Sequence, residues 1–309
     1  MTRAPENALR DISLAEIMRR AYQRHLVLPA FNVAYLPMTK PICETLKELR
    51  SFGLVEVARP DIERFGAESY EAVAEEFGRH ADRAHVRLHQ DHVPVLDEEQ
   101  RPVDWQPLIR KALDLGYDSV MLDGSRLPLD ENLAAVREVV RMAHPNVTVE
   151  AELGAVLGHE PGPIPPYEEL FRTGRGFTDI DEAARFAAES GVDWLSIAVG
   201  NIHGAISGAA KDERKVEARL NIPRLRAISE RARLPLVLHG GTGIQLGCVL
   251  EAISNGIAKI NVATAIRQPY EICLRSGATP ADAQHAVAET VAQQLRDYRI
   301  VGSAEVLAQ

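Results

Sequence analysis

Three histidines in this sequence each stand where an apolar run ends: His92 in RLHQDHV, His203 in VGNIHGA and His239 in LVLHGG. Neutral imidazole suits Zn²⁺, and three protein ligands leave a position open for substrate. A metal open to substrate can polarise a carbonyl as a Lewis acid. Asp91 directly precedes His92, so a group able to move a proton lies beside the proposed metal. Asp123, at the end of SVMLD, and Glu152, near the end of VTVEAELG, could hold a second divalent position or orient the histidines. Each assignment has a plainer alternative. A lone histidine is equally well explained by a structural hydrogen bond. The stretch HQDH by itself reads as a solvated loop, and Asp123 before Gly124-Ser125 reads as a helix cap.

These residues need elements to bring them together, and the hydrophobic pattern supplies them. Short apolar runs alternate with longer segments of helical period. VLPAF ends at Asn32, LVEVA near Ala58 and Arg59, HVRLHQ just before Asp91 and His92, and SVMLD at Asp123. VTVEAELG puts Glu150 and Glu152 on one face, because strand side chains alternate. WLSIAV runs into Gly200-Asn201-Ile202-His203-Gly204, PLVLHGG into Gly240, Gly241 and Gly243, and KINVAT carries Asn261 to Thr264. Helices are predicted over 13–25 with Ser13 as cap, after Pro37, over 67–82, over 105–115 closing at Gly116, and over 129–143. Others are predicted over IDEAARFAAES, over 222–231 and through Ile253, with C-terminal helices at 267–298. Eight strands alternating with helices in 309 residues predict a (β/α)₈ barrel, a single domain over residues 1–309. A doubly wound sheet would show G-x-G-x-x-G after its first strand, where FNVAYLP stands instead. The Gly- and Pro-rich stretch 155–178 has no clear period and reads as a long loop.

In such a barrel the active site lies at the C-terminal strand ends, where all the residues above collect. The loops after strands seven and eight often bind phosphate there, and HGGTG provides backbone N–H groups that an anion can approach. A glycine-rich turn also serves as a plain tight connection. Histidines 25, 80, 85, 144 and 285 lack metal-like spacing and read as surface or structural; Trp194 reads as core.

Composition narrows the partners. Hydrophobic content is 46% and net charge −9, with no Lys/Arg stripe, which argues against nucleic-acid binding. No run approaches a membrane span and the first 20 residues lack a signal core, so a soluble cytoplasmic protein is expected. Cys43, Cys248 and Cys273 are widely spaced and read as buried thiols in a reducing compartment.

Taken together, PAFNV, LHQDHV, SVMLDGS, VEAELG, VGNIHGA, PLVLHGGTG, GIAKINVAT and VGSAE resemble, in order and over nearly the whole chain, the class II metal-dependent fructose-bisphosphate and tagatose-bisphosphate aldolases. The resemblance implies a lyase of carbohydrate metabolism, of the kind used in glycolysis, that cleaves a ketose (bis)phosphate reversibly into dihydroxyacetone phosphate and an aldehyde. It implies Zn²⁺ on His92, His203 and His239, with Asp91 as proton carrier. Asp123 and Glu152 match a second or alternative divalent position, and a monovalent cation is a further expectation. Asn32, Gly204, Gly240, Gly241, Thr242, Asn261, Val262, Ala263 and Thr264 match substrate contacts. A homo-oligomer, dimer or tetramer, is expected. No lysine offers a Schiff base at the mouth, since Lys259 begins strand eight at the opposite end.

The chain also departs from its relatives. Ala58, followed by Arg59, stands where a phosphate-binding Ser is common, and Arg59 is a candidate for a second anionic group or a surface ion pair. Ala205-Ile206-Ser207 replaces a frequent Tyr-Lys, and the mobile loop reads LGHEP, leaving Glu160 as the candidate loop carboxylate. Val93 stands where small or polar residues are common. These changes imply a substrate whose far end differs from the standard bisphosphates. A metal-dependent sugar-phosphate epimerase on the same site and a non-catalytic sugar-phosphate-binding subunit are the alternative functions.

Overall fold

The computed structural model describes residues 8–154, 167–201 and 218–309. Eight parallel strands close into a barrel in sequence order: β1 (Leu28–Asn32), β2 (Gly53–Ala58), β3 (Val86–Pro94), β4 (Ser119–Asp123), β5 (Thr148–Leu153), β6 (Trp194–Ile197), β7 (Leu236–Leu238) and β8 (Ile257–Val262). The helices are α1 (Leu14–Gln23), α2 (Thr39–Glu48), α3 (Arg59–Arg64), α4 (Tyr70–His80), α5 (Trp105–Asp114), α6 (Leu129–Ala143), α7 (Tyr167–Thr173), α8 (Ile180–Ser190), α9 (Ile222–Ala232), α10 (Leu246–Ser254), α11 (Thr264–Arg275), α12 (Pro280–Asp297) and α13 (Ser303–Leu307). The expected (β/α)₈ barrel is therefore the fold.

Period-two alternation sorts each strand into two populations. Val55 and Val57, Leu88, Val120 and Leu122, Val149 and Ala151, Leu195 and Ile197, and Ile260 and Val262 join the large core between sheet and helices. Their neighbours Glu56, His89, Asp91, Ser119, Glu150, Glu152, Ser196, Lys259 and Asn261 are buried polar residues. They line the barrel interior, because consecutive strand side chains point to opposite faces. A second apolar cluster closes the N-terminal end: Leu9, Leu14, Ile17 and Met18 pack with Phe52, Leu54, Trp194 and Val237. Trp194 is thus core, as expected.

Several boundaries differ from the sequence reading. Ser13 caps α1, accepting from the Glu16 N–H at 3.3 Å. The Glu16 carboxylate turns to Arg19 and Arg20 rather than completing a capping box. The segment 67–82 contains the shorter α4, and a separate short helix, α3, begins directly after β2, with Pro60 in its first turn. The stretch read as loop at 155–178 includes α7, while residues 155–166 lie outside the described residues. The C-terminal helices begin at Thr264 rather than 267, and α13 follows α12. Only Cys43 is buried; Cys248 and Cys273 are partly exposed. Among the described residues, no helix is long and apolar enough to cross a membrane.

Candidate active site at the C-terminal mouth of the barrel

Asp91 and His92 are adjacent, so a regular strand would send them to opposite faces. A bulge in β3 prevents this. Gln90 pairs with Val120 and Val93 with Leu122, so β3 uses three steps where β4 uses two. The extra residue falls at Asp91-His92, and His92 takes φ +38°, outside the usual range for a residue with a side chain. The strand continues to Pro94, so His92 lies within it rather than past its end. Both side chains thereby reach the mouth. The bulge also turns Val93 into the helix-facing core, fully buried, which removes it from the pocket wall.

Asp91 is held from two strands. Asn32 Nδ2 donates to its Oδ2 at 3.1 Å and Asn261 Nδ2 to its Oδ1 at 3.0 Å. Burial would raise its carboxyl, but the charge of His92 first of all outweighs that and holds it at about 2. Asn32 also donates to Asp61 Oδ2 at 3.2 Å, which the Ala58 N–H reaches at 2.9 Å. Burial pushes Asp61 up to about 7 despite these bonds.

The two described histidines converge. His92 Nε2 faces His239 Nδ1 at 2.5 Å, with the ring planes at 89°. His92 Nδ1 lies 3.6 Å from Asp123 Oδ2 and 4.0 Å from Glu152 Oε2, while His239 Nδ1 lies 3.7 Å from the same Glu152 oxygen. Asp123 is not a helix cap, because α6 begins only at Leu129 after Pro128; its two oxygens serve a local turn and His92 separately. Its Oδ1 accepts from the Ser125 N–H and hydroxyl, closing a turn after β4, while Oδ2 turns to His92.

Two groups of ligand atoms, Asp91–His92–His239 and His92–Asp123–Glu152, each lie within 4.8 Å. Burial lowers His92, but Asp91, Asp123 and Glu152 raise it to about 10. Burial first, and then Asp123, raises Glu152 to about 8. The carboxylates outnumber the positive charges available, so the donor set fits a divalent cation in both atom type and electrostatic demand.

The loops expected to bind phosphate lie beside this centre. Gly241 is required by packing, since a Cβ there would stand 2.5 Å from Ile260 Cγ2 and 3.0 Å from the Asn261 carbonyl. Gly240 has φ +65°. Thr242 Oγ1 accepts from the Ala265 N–H at 3.3 Å, tying the two loops together. Gly241, Thr242, Val262 and Ala265 share a cavity of about 120 Å³ with Leu246 and Val249 of α10 and Asp297 of α12. Ala263 and Thr264 are partly exposed where β8 turns into α11, and the Val262 side chain packs into the helix-facing core. Arg59 is ion-paired with Glu63 one turn along α3, the surface-pair alternative. A guanidinium not foreseen in the sequence, Arg267, pairs with Glu271 and lies over the Phe65 ring.

His203, Gly204 and Glu160 lie outside the described residues. Asn201, just before them, is buried and donates to the His239 carbonyl at 3.1 Å. Sequence reasoning gives no role to Asn201, Asp61 or Glu150. For Glu150 a signal existed, because it shares a strand face with Glu152. Lys259 was set at the foot of strand eight. It is the third residue of β8, fully buried, with its ammonium 2.9 Å from Glu150 and 3.3 Å from Glu56. His89 is fully buried beneath Asp91, with Nδ1 2.7 Å from Ser119 Oγ; burial, and then Lys259, keeps it neutral by lowering it to about 3.

Comparison with known proteins places the chain in a family. Residues 12–304 match the family described as fructose-bisphosphate aldolase class-II. The chain is 30% identical over 310 residues to the 6-phospho-5-dehydro-2-deoxy-D-gluconate aldolase of Halalkalibacterium halodurans, covering 95% of this chain and 98% of that protein. It is 34% identical over 259 residues to the aldolase of the same name from Bacillus licheniformis, covering 82% and 79%. The crystal structure of the YdjI aldolase from Escherichia coli K12 shares the fold, with a TM-score of 0.74 over 94% of this chain and 98% of that one, at 24% identity.

Proposed function

Because the chain belongs to the class II fructose-bisphosphate aldolase family and is an aldehyde-lyase, we propose that it cleaves a phosphorylated keto-acid reversibly to dihydroxyacetone phosphate. The substrate class we favour is that of its named relatives, a 2-deoxy-5-keto sugar acid phosphorylated at C6. Cleavage between C3 and C4 of such a molecule yields dihydroxyacetone phosphate from C4–C6 and a three-carbon aldehyde acid from C1–C3. The far end then carries a carboxylate instead of a second phosphate, in keeping with Ala58 where a phosphate-binding Ser is common.

The observation that carries this reading is the setting of Asp91, locked by Asn32 and Asn261 beside the His92–His239 pair. His92 and His239, with His203, would hold a Zn²⁺, and Asp123 and Glu152 a second divalent position. When bound, the metal supplies the Lewis acid that makes the keto carbon a sink for the electron pair of the breaking bond. Asp91, ionised at neutral pH, accepts the proton of the C3 hydroxyl as that oxygen becomes the aldehyde carbonyl. The released pair stays on the C4–C6 fragment, and C4 then takes up a proton, for which Glu160 is the candidate donor. The two amides on Asp91 keep its oxygens aimed through the proton transfer. Backbone N–H groups of Gly240 to Thr242 and Asn261 to Thr264 would bind the C6 phosphate.

The test is a panel of ketose mono- and bisphosphates together with the C6-phosphorylated keto-acid, followed by dihydroxyacetone phosphate release. Fastest release from the keto-acid is expected. Release from fructose or tagatose bisphosphate alone would refute the substrate assignment, and an isomeric ketose without free fragments would make the enzyme an epimerase.

A further inference from the structure

Below the mouth lies a group of buried residues for which the aldol reaction by itself has no use. Glu150 has no solvent exposure, yet both of its oxygens are engaged. Oε1 lies 2.7 Å from His239 Nε2. Oε2 accepts from Trp194 Nε1 at 2.7 Å and from Lys259 Nζ at 2.9 Å. An ammonium and an indole N–H can only donate, so Oε2 accepts twice and the group beside Lys259 is a carboxylate. A carboxylate has lone pairs and no proton, so the ring nitrogen facing it must be the one that carries hydrogen. His239 is then protonated at Nε2, and its Nδ1 lone pair points up toward His92 and Glu152.

We propose that Lys259, Trp194 and Glu150 are positioning residues that fix which nitrogen of His239 is the donor and where it aims. Lys259 and Trp194 come from β8 and β6, on either side of β7, and they hold one Glu150 oxygen from two directions. The carboxylate cannot rotate without breaking both bonds, so its other oxygen stays under His239. Trp194 is anchored in the apolar cluster that closes the N-terminal end, which makes the aim of the donor a property of the barrel core. Lys259 also lies 3.3 Å from Glu56, and with two carboxylates beside it the ammonium serves as counter-charge rather than nucleophile. Such support typically changes metal affinity by roughly 10–100-fold.

The inference rests on the metal reading for its consequence, but the donor nitrogen can be measured without metal. Histidine-labelled, chelator-treated protein should show His239 as a neutral ring protonated at Nε2 by ¹⁵N NMR. Co²⁺ titration by visible absorption supplies the second readout. Glu150→Gln, close in shape, should weaken Co²⁺ binding by roughly 10–100-fold and alter the spectrum. Trp194→Phe removes one N–H and keeps every charge, so a loss of about 3–10-fold is expected, with a changed His239 ring signal. Lys259→Met is read only on its folded fraction, compared with wild type at equal Tm margin. Lower Tm with unchanged Co²⁺ affinity, spectrum and ring signals in Glu150→Gln and Trp194→Phe would assign these residues to stability alone and overturn the proposal. If wild type binds no Co²⁺ while the ring signals behave as expected, the metal reading fails and the positioning role stands.

Discussion

The two ends of the barrel use the same eight strands and treat buried charge in opposite ways. At the N-terminal end Arg87 is 2% exposed, and its guanidinium donates to the carbonyls of Leu9, Arg10 and Ile12 at 2.8, 3.1 and 3.2 Å. It also reaches the carbonyls of Arg83 and Val86 and lies over the Phe52 ring. Its donors are spent on the backbone leading into α1 and β3, with Asp118 3.6 Å from Nε. At the C-terminal end the ligand atoms of His92, His239, Asp91, Asp123 and Glu152 converge on one another. They form two groups that have His92 in common. A charge whose hydrogen bonds all run into its own fold stabilises that fold; charges aimed at a common centre await a ligand.

The sharpest way to break this comparison is to remove the metal. Chelation should abolish cleavage while leaving the circular dichroism of the barrel unchanged, and Zn²⁺ or Co²⁺ should restore it. A fully active metal-free preparation would refute the functional half. Next in size, Asp91→Ala should keep metal but lose roughly 10²–10⁴-fold in kcat, the range for a general acid–base group. If that variant binds no metal, Asp91 is a ligand instead. At the other end, Arg87→Ala should remove the bonds that tie the segment before α1 to β3, leave a cavity, and cost about 3 kcal/mol or more in urea unfolding, with kcat per folded molecule retained. A lost kcat with normal stability would erase the contrast.

The smallest expected effect concerns Asp61, between the two regimes. Its folded pKa of about 7 lies above the ordinary 3.8, so the folded state binds a proton that the unfolded state does not. Stability should therefore fall as pH rises from about 4 to 7. Asp61→Asn should flatten that slope and gain on the order of 1 kcal/mol at pH 8, below the ceiling of about 4 kcal/mol set by the whole shift. Parallel stability curves for the two proteins would show that Asp61 does not carry the pH dependence.

How much of this could be read from the chain depends on the range of the cause. Glu150 and Glu152 were visibly on one face, because a strand's period of two is local. That Glu150 meets His239, 89 positions away, was not visible, since nothing near either residue encodes the meeting. The short α3 was hidden because it begins directly at the end of a strand, with no linker to mark it. Arg59 kept two meanings in the sequence, and the ion pair with Glu63 appears only once α3 sets them one turn apart.

The stretch HQDH divides the same way. Residue type and order alone determined that a proton carrier and an imidazole stand together at the end of an apolar run, that eight such runs alternate with helices, and that their polar ends fall on one side of a barrel. Those properties follow from hydrophobic period and strand direction, which each segment carries within itself. Only the tertiary structure decided that His92 turns inward beside Asp91, through a bulge visible against β4 and a φ of +38°. It also decided which nitrogen of His239 faces the mouth, through a lysine, a tryptophan and a glutamate from three other strands. Register and hydrogen-bond partnership are relations between distant segments, and they acquire values only when the barrel closes.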